Sequence, residues 1–293
     1  MRKINKPSLV PEKLVQVQKE IAAELFTKKN SFRWQPQHYN TPIKEELKTL
    51  YHNKCAFCET LLTDRKNAEN QFTIEHFRYK AHYYWLGNEW TNLFPLCSVC
   101  NNKKSDILPT SAQKISNPPF DVHGNLLREK CLATYEELLD EKPLYIHPEI
   151  EDGKNYFYFD KNGKIQSKPN LLKYQNDQAI EMQSKFLNMS IFEEKRKKVI
   201  IDFQNDLRND VIDFLKETQT EQPTEREVKL AFQSFFRRLW QRQAAEAEFS
   251  LLGYSMLNQF DLFFLFEYEG DVKALVQYAF QLFIKSTIDS SYQ

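Results

Sequence analysis

Two pairs of cysteines frame the most informative part of this sequence, Cys55-Ala56-Phe57-Cys58 and Cys97-Ser98-Val99-Cys100. Each pair places two sulfur atoms on one tight turn, so both can reach a single ion about 2.3 Å away. Because disulfides are rare in a reducing cytosol, four thiolates in two such pairs are typical of a tetrahedral structural zinc site. The alternative interpretation is a set of buried or redox-active cysteines. Cys131, the fifth cysteine, is predicted to be a small buried apolar residue.

The segment between the two pairs carries polar residues that suit catalysis. Residues 72–77 alternate like a short strand, and Glu75 and His76 stand near its end. Asn92 follows an aromatic loop at residues 83–90, and Asn101 comes directly after the second cysteine pair. A lone histidine is more often structural than catalytic, but this one stands beside a carboxylate within a metal-stapled unit. We therefore predict a catalytic role for His76.

This arrangement resembles the HNH nucleases, whose ββα-metal core holds a divalent cation between a hairpin and a short helix. The resemblance implies that His76 is the general base that activates water. It implies that Glu75 binds the catalytic cation, that Asn92 braces the loop and orients the histidine ring, and that Asn101 is a further metal ligand. Ser105 stands where some members carry an additional histidine ligand, and is therefore a weak candidate for metal binding.

The chemistry of phosphodiester hydrolysis needs these residue types. A neutral imidazole, with an unperturbed pKa of about 6.5, can take a proton from water at physiological pH. A cation held by a carboxylate and an amide oxygen suits Mg²⁺, and Mn²⁺ should substitute for it. Four basic residues beside these groups are predicted to hold flanking phosphates: Arg78, Lys80, Lys103 and Lys104. The alternative interpretation is that Lys103 and Lys104 only form the solvated end of a helix.

A closer resemblance is to the nuclease subunit family, PtuB, of the Septu anti-phage systems. The motifs that carry it lie at residues 55–59, 74–78, 83–86, 89–93, 97–104, 141–144, 147–150 and 160–165. One departure is Tyr79, where the family usually has proline. The resemblance implies a partner, an ABC-type or SMC-like ATPase (PtuA), and a role in destroying nucleic acid during infection.

Several functions remain open at this point. We favour a metal-dependent nuclease that cleaves DNA, and the same complex could instead cleave RNA such as tRNA. A second hypothesis is a catalytically inactive, zinc-stapled nucleic-acid-binding module. A third is a homing or restriction nuclease that works alone, although no helix-turn-helix or basic stripe supports it.

Charge and composition limit the remaining classes. The 293 residues carry no net charge, which argues against a protein that coats nucleic acid through charge alone. Residues 1–120 hold 18 Lys and Arg against 11 Asp and Glu, whereas residues 121–293 hold 22 against 29. Any nucleic acid should therefore meet the first part, unless the asymmetry is a chance fluctuation. The sequence shows neither a spanning segment nor a signal peptide, so we expect a soluble, cytoplasmic protein.

The predicted fold class is α+β, with a small zinc-stapled ββα-metal core, flanking helices and a mostly helical C-terminal region. We divide the chain into a helical segment at 1–54, the nuclease core at 55–120, a connection with a hairpin at 121–170 and helices from 171 to 293. Helices are predicted at 8–29, from Pro42, along the stripe that runs from Val199 to Leu215, and from Thr224. Residues 251–266 and 272–284 are apolar nearly all round and should be buried, either in a core of their own or as a docking surface for the ATPase.

Overall fold

The computed structural model describes residues 1–7, 10–12, 14–15, 42–104, 116–218 and 223–291. The chain divides into two compact units. The first comprises Met1–Phe157 and Ser167–Met189, and the second comprises Tyr158–Gln166 and Ser190–Gln293. Most of the helix predicted at residues 8–29 lies outside the described residues, and Ser105 does too.

Helix α1 of the first unit spans Pro42–Leu50. Proline fits the first helical position because its fixed φ suits the helix and its missing N–H would have no partner there. Ile43 and Leu47 are fully buried on one face of this helix. The predicted start at Pro42 is therefore confirmed.

A ββα unit follows α1. Strand β1, Phe72–His76, pairs antiparallel with β2, Leu93–Cys97, so that Phe72 faces Cys97 and His76 faces Leu93. Helix α2, Ser98–Lys104, starts directly after β2 and packs against both strands. The loop between the strands contains two short 3-10 turns, Tyr84–Leu86 and Trp90–Asn92. The predicted α+β class is confirmed by this arrangement.

An aromatic cluster holds the later part of the first unit against the first cysteine turn. The ring of Phe57 lies 5.4 Å from that of Phe94 and 4.8 Å from that of Phe186, and Phe186 also contacts Tyr145 at 5.1 Å. Phe186 belongs to a π-helical turn, Gln183–Leu187, that follows an α-helix, Lys173–Met182. Residues 167–189 group with the first unit, and they include the first part of the region predicted to be helical from residue 171.

The connecting segment has little regular structure before its hairpin. It contains helix α3, Glu136–Leu139, with 3-10 turns at Arg128–Lys130 and Gly153–Asn155. Strands β3, Phe157–Phe159, and β4, Ile165–Ser167, then form the predicted hairpin. Gly163 in its turn has φ +79°, and a Cβ there would approach the Arg196 Cβ to 3.0 Å, so this position requires glycine.

Helices make up most of the second unit. The helix Lys173–Met182 of the first unit is numbered α4. The helices of the second unit are α5 Ser190–Glu217, α6 Glu225–Gln241, α7 Ser250–Asn258, α8 Phe260–Phe263 and α9 Gly270–Ser291. A 3-10 turn, Leu265–Glu267, lies between α8 and α9. The predicted start of α6 is confirmed: Thr224 caps it, and its hydroxyl accepts from the Glu227 N–H. None of the helices in the described part of the chain is long and apolar enough to cross a bilayer.

The predicted apolar stripes are only partly buried. Ile200, Leu207, Val211 and Phe214 of α5 are buried, but Leu215 is 51% exposed at the edge of its stripe. Phe260, Phe263 and Phe264 are buried in the second unit, so they are unavailable as a docking surface. Phe266 is 49% exposed, with the Lys161 ammonium 5.2 Å from its ring centre, so the expectation of burial throughout residues 251–266 is wrong there.

Candidate active site and metal centres

The four paired cysteines come together as the sequence predicts. Their sulfur atoms all lie within 4.8 Å of one another, and all four residues are buried. The Sγ atoms of Cys58 and Cys97 are 3.8 Å apart, close to the separation of about 3.8 Å expected for sulfurs bonded at about 2.3 Å to a tetrahedral zinc ion. Burial raises the pKa of the Cys100 thiol well above its usual value, and the neighbouring cysteines add to this. A dication would offset that cost, so the cluster fits structural zinc.

His76 ends β1 and is only 3% exposed. Its Nε2 lies 2.9 Å from the carbonyl oxygen of Gly87. Because a carbonyl can only accept, Nε2 carries the hydrogen, and Nδ1 therefore has the lone pair that can receive a proton. Burial lowers the pKa of His76 to about 3; the Gly87 bond opposes this, while the charges of Lys80 and Lys104 add to it. The ring is neutral at physiological pH, as a general base must be.

Glu75, the residue before His76, forms an ion pair with a lysine of α2. Its Oε1 lies 3.1 Å from the ammonium nitrogen of Lys104, the last residue of α2. The Lys104 side chain is 1% exposed and that of Glu75 is 21% exposed. A cation from the chain itself therefore occupies the carboxylate that the resemblance assigns to a metal. Asn101 lies in the middle of α2 and is half-buried.

Asn92 is fully buried and ties the loop between the strands to itself. Its side-chain oxygen accepts from the Arg78 N–H at 2.7 Å, and its Nδ2 donates to the carbonyl oxygens of Leu86 at 3.0 Å and Arg78 at 3.3 Å. Leu86 directly precedes Gly87, whose carbonyl holds the His76 ring. The side-chain amide of Asn92 thus bonds to the backbone two residues after His76 and to the residue before Gly87, the two segments that position the histidine ring.

Comparison with known proteins identifies this region. A family model described as HNH endonuclease matches residues 55–106, which include both cysteine pairs, Glu75, His76 and Asn92. The chain contains an HNH endonuclease domain. It is also 27% identical over 156 residues to Septu protein PtuB of Bacillus mycoides strain KBAB4, an alignment that covers 49% of this chain and 46% of that protein.

A second relative comes from the same strain. The chain is 23% identical over 176 residues to Septu protein PtuA, covering 56% of this chain and 21% of PtuA. The chain therefore spans about half the length of the first relative it matches and about a fifth of the second. Over about half of its length the chain is similar to Septu protein PtuB.

Two of the four basic residues predicted to contact phosphates do not fit that role. Arg78 is completely buried, where its guanidinium pairs with Glu141 and donates to the carbonyl of Leu138. Glu141 also accepts from the Tyr83 hydroxyl and the Ser116 N–H, both at 2.7 Å. Arg78 therefore fastens the HNH domain to the segment that follows it. Its predicted contact with phosphate is corrected, because no part of the side chain reaches solvent.

Lys104 does not fit a contact with phosphate for the same reason, because its side chain is buried against Glu75. Lys103 is exposed and Lys80 is half-buried, so these two remain candidates for phosphate contact.

Sequence reasoning missed three buried groups in and around the HNH domain. The Gly87 carbonyl, which fixes the His76 tautomer, has no signature in sequence because every residue carries a carbonyl. His147 is 4% exposed, with its ring 4.3 Å from that of Phe77 and its Nε2 3.1 Å from the Thr91 carbonyl oxygen. Glu89 is 7% exposed, and burial raises its pKa to about 7 despite Arg128 nearby. Both residues belong to motifs that carry the resemblance to the PtuB family, at 89–93 and 147–150, but the sequence predicts no role for either.

Proposed function

We propose that this chain is a metal-dependent HNH nuclease that hydrolyses phosphodiester bonds of DNA as the effector of a Septu-like anti-phage complex. The observation that carries the proposal is the histidine at the end of β1. Its Nε2–H is committed to the Gly87 carbonyl, it stands beside a carboxylate, and it lies within a domain that matches the HNH endonuclease model.

Each group has a definite part in the proposed reaction. Nδ1 of His76 takes the proton of the attacking water, and Asn92 keeps the loop and the ring in position. Glu75 and Asn101 hold the divalent cation, Mg²⁺ or Mn²⁺, which supplies charge neutralisation at the scissile phosphate when bound. Lys80 and Lys103 bind neighbouring phosphates of the same strand. The four cysteines hold zinc and keep α2 against the hairpin.

A partner completes the proposed complex. Both relatives are Septu proteins, which supports a PtuA-like ATPase of the ABC or SMC type as the partner. The absence of net charge on this chain favours a second subunit that supplies much of the grip on nucleic acid. In the second unit, a cavity of about 550 Å³ between α6 and α9 is lined by Leu230, Phe236 and Phe283 and offers a docking place. We place the complex in the cytoplasm.

The test compares wild type with His76→Ala in a complex with a PtuA homologue. Supercoiled plasmid and total tRNA are incubated with Mg²⁺, Mn²⁺ or EDTA. A general base contributes roughly 10²–10⁴-fold, so the variant should lose cleavage by that factor while keeping its zinc. His82→Ala is the matched control, because His82 is an exposed histidine in the loop that follows β1.

The outcomes separate the alternatives. Cleavage of plasmid that requires both metal and His76 supports the proposal, whereas cleavage of tRNA alone reassigns the substrate to RNA. Cleavage that survives His76→Ala, or a wild type that binds nucleic acid but never cuts it, contradicts the proposed mechanism.

A further inference from the structure

Lys104 and Lys103 are neighbours in sequence with opposite environments. The Lys103 side chain is exposed at the end of α2, whereas that of Lys104 is 1% exposed and its ammonium lies 3.1 Å from the Glu75 carboxylate. Removing an ammonium group from water is costly unless it gains a close opposite charge. The charge that stabilises the buried Lys104 is the Glu75 carboxylate. The proposed reaction uses the same carboxylate to hold a divalent cation.

The position of Lys104 relative to the other proposed ligand is also informative. Asn101 and Lys104 are three residues apart in α2, and residues at that spacing are neighbours on a helix surface. Glu75 meets this helix from β1. The ammonium thus lies beside Glu75, and its residue is a helical neighbour of Asn101, the other ligand that we propose for the divalent metal.

We infer that Lys104 is an internal competitor for the metal: its ammonium holds Glu75 when no divalent cation is bound, and it sets the metal concentration at which the site fills. This inference rests on the proposed function, since it assumes that Glu75 is a metal ligand. The neighbour Lys103 has no such role because it faces solvent.

The expected size of the effect follows from simple electrostatics. The Lys104 ammonium, 3.1 Å from the Glu75 carboxylate, repels any other cation that approaches this carboxylate, and water screens the repulsion less in a partly buried site than in bulk solvent. A repulsion of about 1.4 kcal/mol, within the range for two unit charges near a protein surface, corresponds to a tenfold change in a binding constant. Removing the charge of Lys104 should therefore tighten binding of a divalent cation by on the order of tenfold.

The experiment measures Mn²⁺ binding to the zinc-loaded full chain without nucleic acid, by calorimetry and by the electron paramagnetic resonance signal of free Mn²⁺. Lys104→Met keeps the length of the side chain and removes its charge, and Lys104→Gln is a second neutral variant. We expect both to lower the Kd for Mn²⁺ by about tenfold. Lys104→Arg, which keeps the charge, should stay within about threefold of wild type, and so should Lys103→Met, the matched control.

Zinc content and thermal melting identify any variant that fails to fold, and the other neutral variant then carries the test. The inference is overturned if the neutral variants bind Mn²⁺ no more tightly than wild type, or if Lys103→Met tightens binding equally. Glu75→Gln distinguishes this failure from failure of the proposed function. If wild-type binding depends on Glu75 but not on Lys104, only the inference fails. If Glu75→Gln leaves Mn²⁺ binding unchanged, the proposed metal site fails and the inference fails with it.

Discussion

The HNH domain and the helices of the second unit bury different kinds of side chain. The HNH domain buries charged and polar groups, among them His76, Arg78, Asn92 and Lys104, each bonded to a specific partner. The described helices α5–α9 bury only Arg196, Ser250 and Ser255 among polar residues. Their core is built from phenylalanine rings, such as Phe260 stacked on Phe280 at 4.1 Å.

This difference shows which interactions stabilise each region. Packed rings contribute through the apolar area they remove from water, and many neighbours share the effect. A buried charge contributes only while its partner is present, and losing either one leaves an uncompensated group. The HNH domain should therefore respond to the loss of single polar groups or of its metal, whereas the second unit should respond to the loss of apolar volume.

Removal of one zinc ligand should have the largest effect. Cys97→Ser takes away one of four thiolates, and structural zinc in small peptides contributes about 10–16 kcal/mol of apparent folding free energy. We expect loss of bound zinc and unfolding of the HNH domain, while the helical circular dichroism of residues 190–291 remains. Zinc content by mass spectrometry and the tryptic fragment pattern measure the two effects.

The matched control is Cys131→Ser. Cys131 is equally buried but lies outside the cluster, and its Sγ donates to the Leu127 carbonyl, a bond that a serine hydroxyl can replace. Retention of stoichiometric zinc in Cys97→Ser, or equal zinc loss in both variants, would contradict the assignment of the cluster.

A ring in the second unit provides the opposite case. Phe260 is 3% exposed and its ring lies within 6 Å of those of Phe236, Phe264 and Phe280. Phe260→Ala should lower the free energy of unfolding by about 3–5 kcal/mol, because it removes buried area and leaves a cavity. Zinc content should not change. Urea denaturation followed by circular dichroism measures the loss.

Phe266→Ala is the control for that substitution, since Phe266 is half exposed in the same region. It should cost less than about 1 kcal/mol, including the contact between its ring and Lys161. Similar losses in both variants would mean that burial does not explain the stability of this region.

The same contrast explains what the sequence could predict. The cysteine pairs, the order of Glu75 and His76 and the hairpin turn at Gly163 depend on residues close together in the chain, so local patterns indicated them. The pairs Glu75–Lys104 and Arg78–Glu141 join residues 29 and 63 positions apart, and no spacing rule specifies such partners. Because the sequence does not reveal these distant partners, it suggested phosphate contacts for Arg78 and Lys104, which the structure buries. The exposure of Leu215 has a related cause, because helical periodicity indicates the direction of an apolar face but not the width that its neighbours cover.

A buried acid in the HNH domain offers the smallest and most selective test. Burial raises the pKa of Glu89 to about 7, whereas an unfolded glutamate titrates near 4.3–4.5. The folded state therefore binds a proton more tightly than the unfolded state, so the stability due to protonated Glu89 is complete below pH 4.5 and is lost as pH rises through 7. The loss reaches up to about 3 kcal/mol above pH 7.

Glu89→Gln removes this titration while keeping the shape of the side chain. We expect the free energy of unfolding of the variant, relative to wild type, to rise between pH 5 and pH 8 in urea titrations. The histidines act in the other direction: burial lowers the pKa of His147 to about 3, so its contribution is lost as pH falls below 6.5. Because both proteins share that term, the difference between them isolates Glu89. Parallel stability profiles from pH 5 to pH 8 would show that the carboxylate is ionised in the fold and that Arg128, 3.5 Å away, offsets its burial.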